Sequence, residues 1–120
     1  MFNLNGIVMK KLISPIAATL LILSSCSVFA ESYGPQHDAI ETLFKSDSEK
    51  TTKDAVWTSN RIFKVGVLNN GSNRDGYADY VCQVMYEYGF KGKSIWVQVI
   101  DIAQLVKTNK WIKLGEAHCD

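Results

Sequence analysis

Three features of the sequence predict an α+β domain, an N-terminal amphipathic helix packed on a curved four-stranded antiparallel sheet in meander order. Ala39, Ile40, Leu43 and Phe44 recur at steps of three and four residues, the spacing of one helix face. Later stretches at 62–67, 77–88 and 94–102 are rich in β-branched and aromatic residues, and the first two alternate apolar with polar positions, which is the period of a strand. The segments between them are short and hold Gly, Asn and Lys, so consecutive strands are expected to meet as hairpins.

Residues 1–30 read as a cleaved secretory signal peptide and 31–120 as a single small domain. Met9, an alternative start, is followed by Lys10 and Lys11, an apolar run and small residues, the build of an export leader. The run at 12–23 falls short of the roughly 20 residues that span a bilayer. Val28 and Ala30 precede Glu31 in the small-residue pattern of signal peptidase, so cleavage is expected between Ala30 and Glu31. Leu23-Ser24-Ser25-Cys26 resembles a bacterial lipobox and supports an alternative, an outer-membrane lipoprotein processed at Cys26. Either route predicts an envelope or secreted protein of a Gram-negative cell, periplasmic in the first case, with no transmembrane helix in the mature chain.

Loss of the leader removes Lys10 and Lys11 from thirteen basic residues and none of twelve acidic ones, so 11 − 12 leaves a net charge of −1. Phosphate binding needs clustered Lys and Arg, and nucleic acid is not an expected partner. Cys82 and Cys119 are the cysteines that remain. In an oxidising compartment they are expected to pair, stapling a domain too small for a generous core.

Along the mature chain, Ser46 and Glu49 match a capping box and predict a second short helix, or a kinked continuation of the first, over 47–54. Strand begins near Ala55. Closing a hairpin around 69–76 sets Phe63 opposite Cys82, Val65 opposite Tyr80 and Val67 opposite Ala78 on one buried face. The turn at 89–92 then aligns Tyr86 with Ile95, Val84 with Val97 and Cys82 with Val99. A last strand over 110–118, turning at Thr108 and Asn109, brings Cys119 level with Cys82 but two strands away. That is roughly 9.6 Å at about 4.8 Å per strand, beyond the roughly 7 Å that a disulfide bridges. The register of the last hairpin therefore stays open, and the Cys82–Cys119 bond with it. One helix followed by a four-stranded meander resembles the cystatin-like group of folds in element order, a likeness that implies nothing about function.

The residues that could carry chemistry are sparse. His37 and His118 lie in different elements without metal-ligand spacing, so no metal and no cofactor are expected, and no catalytic set is assigned. His118 and Cys119 are strand neighbours on opposite faces, unsuited to a nucleophile pair. Asn73, Asp75 and Gly76 match a calcium loop only in its middle, because Gly71 and Cys82 stand where ligands belong. Asp101 falls on the face read as buried, opposite Tyr80, and the two form a candidate small-ligand or enzymatic pocket on the concave sheet face. Asn70, Asn73, Arg74 and Asp75, in an exposed loop between rigid strands, form a candidate partner-contact loop. The expectation is a non-enzymatic exported protein of inhibitor, immunity or accessory type that binds a protein in the envelope or outside the cell. A partly apolar second sheet face supports it.

Overall fold

The computed structural model of the chain describes residues 32–120. The leader, the Ala30 and Glu31 cleavage site and Cys26 lie outside the described residues. The elements run α1 (Pro35–Phe44), β1 (Thr52–Ser59), β2 (Ile62–Val67), α2 (Asp75–Glu87), β3 (Ile95–Asp101), α3 (Ile102–Thr108) and β4 (Lys113–Cys119). The class is α+β, with a four-stranded sheet in the order β1-β2-β3-β4.

Two parts of the expected architecture are corrected. The sheet is mixed: β1/β2 and β3/β4 are antiparallel, but β2/β3 are parallel. Three helices spread along the chain replace a single N-terminal one, so the cystatin-like order does not describe it. Both corrections come from residues 77–88, which form most of α2 rather than a strand. Parallel neighbours need a crossover of a dozen or more residues, and the thirteen residues of α2 supply it between β2 and β3.

The α2 inward set is Ala78, Val81, Cys82 and Met85, a spacing of three, four and seven. Tyr80 and Tyr88, which created the apparent two-residue period, are exposed. With α2 helical, the proposed pairings of Phe63 with Cys82 and Tyr86 with Ile95 disappear. Phe63 instead pairs with Trp57 and Val97, and Val65 with Ala55 and Val99. The disulfide geometry then resolves. Cys82 faces the sheet from α2, and Cys119 ends β4, with their Cα atoms 5.3 Å apart in the bonded pair.

The short helix expected over 47–54 is also absent. Ser46 Oγ accepts from the Ser48 amide at 3.2 Å in a turn, and β1 begins at Thr52. A two-residue turn at Asn60 and Arg61 separates β1 from β2. Phe63, Val65, Val67, Val97 and Val99 form the inner sheet face, fully buried beneath Ile40 and Phe44 of α1 and the apolar stripe of α2. Aromatic packing links these layers, with Phe44 5.7 Å and Trp57 4.8 Å from Phe63 between ring centres.

Candidate functional site

Residues with outward side chains form three rows across the sheet's second face. Ile62, Trp96 and His118 make the first row, and Val56, Lys64, Gln98 and Glu116 the second. Asp54, Gly66, Ile100 and Lys113 make the third. The third row is roofed at its centre, over Gly66 and Ile100, while the Asp54 and Lys113 side chains at its ends stay exposed. Asp101 ends β3 and its carboxylate accepts from the Gln104 amide at 3.1 Å, an N-cap that turns the chain into α3. Ile102 then lies on Gly66, where a Cβ would come within 2.8 Å of its Cδ1. Leu105 and Trp111 complete the cover, leaving Ile100 only 2 % exposed. The Lys64 ammonium sits 4.6 Å above the Trp111 ring, a cation–π contact at the boundary of the roof.

The first two rows are open. Trp96 is 41 % and Val56 39 % exposed, with Ile62 partly exposed beside them. The result is an amphipathic surface: apolar at Val56, Ile62 and Trp96, with Lys64, Gln98, Glu116 and His118 among them. Such a face, centred on a tryptophan with charges of both signs nearby, fits contact with another protein.

A polar chain borders this face. Ser94 Oγ and His118 Nε2 are 2.8 Å apart, and His118 Nδ1 is 3.1 Å from Asp120 Oδ1. This is the connectivity of a serine hydrolase triad. The carboxylate in such a triad is held away from water, whereas the Asp120 side chain is 90 % exposed, where solvent competes for the imidazole. The chain instead ties the start of β3 to the end of β4, and it holds Ser94 at a left-handed φ of 61°. No local spacing in the sequence signals it.

The sheet edges are less open than the face. On β1, Asp54 Oδ1 accepts from the Ala55 amide at 2.9 Å, and register shifts interrupt both ends of the pairing. On β4, Leu114 O accepts from the Arg74 amide at 3.0 Å, Asp75 Oδ1 from the Glu116 amide at 2.8 Å, and Tyr86 Oη from the Asp120 amide at 2.9 Å. Bulges and occupied backbone groups discourage strand addition.

Asn70, Asn73, Arg74 and Asp75 divide into two groups. Asn70 and Asn73 are exposed, but their side-chain oxygens accept from Ser72 and Asp75 amides at 3.0 and 2.8 Å. Arg74 Nη2 donates to Leu68 O at 2.9 Å, while Asp75 is engaged with β4 as above. The loop's polar atoms are largely spent on its own shape.

Tyr80 and Asp101 enter separate networks. Asp101, only 5 % exposed, caps α3 and accepts from Asn69 Nδ2 at 3.2 Å. Tyr80 donates to Glu49 Oε2 at 2.6 Å, beside Tyr77, whose hydroxyl is 2.7 Å from Thr52 Oγ1. The bond to the Glu49 carboxylate, followed by desolvation and the charge of Glu49, raises the Tyr80 pKa to about 12. Burial is the largest cause of the upward shift at Tyr77. Both phenols stay neutral near pH 7 and tie α2 to the segment before β1.

Among the described residues, no group of three or more His, Cys, Asp or Glu side chains gathers as a metal site. None of the described helices is long and apolar enough to cross a membrane. No family model, curated protein or solved structure matches the chain.

Proposed function

We propose that this is an exported protein that acts without a catalytic centre, by holding another protein of the envelope or cell exterior against its open sheet face. The observation that carries the reading is the exposure of Trp96 beside Ile62 and Val56 while α3 covers Gly66 and Ile100 on the same face. Export rests on the basic and apolar leader with its small-residue cleavage pattern, and the cysteine pair suits an oxidising compartment.

A photocrosslinker placed at Val56 tests the face, and one at Asn73 tests the loop. The expected product in periplasmic extract is an adduct from position 56 that disappears on Trp96→Ser. Crosslinking from position 73 alone would reassign contact to the loop, and no adduct from either would count against the binding role. Labelling of Ser94 by a fluorophosphonate would remove the non-catalytic part of the proposal. Lipid attachment at Cys26 is the alternative processing route, and the mass of the mature N-terminus separates it from cleavage after Ala30.

A further inference from the structure

We propose that a cleft adjoining the first row of the open face, between α1, the β1–β2 turn and the loop before β3, binds a small oxyanion, a carboxylate or phosphate. Gln36 and His37 of α1, Asn60 and Arg61 of the turn, and Phe90 and Lys93 of the loop line a hollow of about 230 Å³. The lining brings Arg61 and Lys93 together with an imidazole and two amides, and includes no carboxylate. Among the described residues, neither the Arg61 nor the Lys93 side chain has an ion-pair partner. Two cations without a counter-charge at one cleft favour an anion, and the guanidinium fork matches the paired oxygens of carboxylate or phosphate.

The walls are fixed before any ligand arrives. The Arg61 amide donates to Ser59 Oγ at 3.2 Å, and its carbonyl accepts from the Trp96 amide at 2.8 Å. The His37 ring is held by a 2.9 Å contact between Nε2 and Asn60 O and packs 4.3 Å from Trp57 and 4.9 Å from Phe90. Lys93 lies between Gly92 at φ 80° and Ser94 at φ 61°, and its amide donates to Phe90 O at 3.0 Å. A non-glycine residue in the left-handed region persists where surrounding contacts over-determine it. The Ser94–His118 hydrogen bond supplies such a contact, giving that polar chain a positioning role at the cleft. Gln36 and His37 belong to the first turn of α1, and Asp38 of the same turn lines a different hollow.

The volume is below the roughly 300 Å³ at which pockets begin to enclose drug-sized molecules, which sets the ligand as a small anion or the acidic group of a larger molecule. Amide NMR titration of the purified protein with inorganic phosphate and, separately, succinate tests this, with sodium chloride at matched ionic strength as control. Saturable shifts centred on His37, Arg61 and Lys93 are expected for one or both anions, and which anion saturates identifies the oxyanion preferred. The Arg61→Gln/Lys93→Gln variant should bind at least about tenfold more weakly. Lys107→Gln/Lys110→Gln, equal in charge loss but on the α3 side, should bind as the parent does. Shifts no different from chloride, no saturation by about 50 mM, where binding would be weaker than the millimolar range, or equal weakening in both double variants would overturn the proposal.

Discussion

At Gly115 the absence of a side chain lets β4 meet the start of α2. A Cβ there would stand 2.6 Å from Arg74 O and closer still to the backbone carbon, and the surrounding backbone also carries the Leu114–Arg74 and Glu116–Asp75 hydrogen bonds. Gly115→Ala is therefore expected to cost about 3 kcal/mol in urea unfolding, the upper part of the usual range for overpacking. Gly76 has open space around its Cβ position within α2, so Gly76→Ala should instead stabilise by about 0.5 kcal/mol through the unfolded chain. The tie at Tyr80 predicts a pH effect of definite sign. Its folded pKa of about 12 lies above the ordinary 10.0, so its contribution is complete below pH 10 and is lost as pH rises through about 12. Tyr80→Phe should remove one late-titrating phenol from the absorbance titration and flatten the alkaline decline in stability over that interval.

At the scale of elements, the disulfide joins the crossover helix to the last strand across 37 residues. Closing a loop of that size restricts the unfolded chain by about 4 kcal/mol. Cys82→Ala/Cys119→Ala should lose close to that amount in urea unfolding, while a loss under about 1 kcal/mol would show that the link adds little constraint. The cysteine pair is legible from its number and the expected compartment, but its geometry is not, because the sequence pattern presents α2 as a strand. Tyrosines caused that misreading: they count as apolar in a two-residue pattern, yet the Tyr80 and Tyr86 hydroxyls reach Glu49 and the Asp120 amide. The stripe of Ala78, Val81, Cys82 and Met85 was present in the same letters and was the stronger signal. The α3 helix offered less to read. It has seven residues, none buried, and only Ile102 and Leu105 turn to the sheet while Val106 is 79 % exposed, a stripe too short to read. The helix ends at Asn109, whose left-handed φ of 62° suits a C-terminal cap, a residue that in the sequence alone looks equally like a hairpin turn. Only the strand assignment brings Tyr80 and Asp101 together, and the pair separates once α2 is a helix. The Arg61 and Lys93 cleft draws on segments far apart in sequence, which no local motif reports.

For the whole molecule, the mixed sheet gives its two faces different tasks. The crossover helix and α1 bury the apolar centre of one face, while the short α3 covers only Gly66 and Ile100 of the other. A sheet face left half covered is an interaction surface when its residues are dispensable for stability, and a weak part of the core when they are not. Phe63→Ala and Trp96→Ala separate these cases. Phe63 is fully buried among Phe44, Trp57 and Val97, and its truncation should cost about 4 kcal/mol. Trp96 is 41 % exposed, with His118 4.7 Å away between ring centres, so its truncation should cost under about 1 kcal/mol. Denaturant unfolding of the two variants reads this difference directly. A cost at Trp96 approaching that at Phe63 would make the open face part of the folding core. A small cost accompanied by loss of the crosslinked adduct would make it a surface retained for a partner.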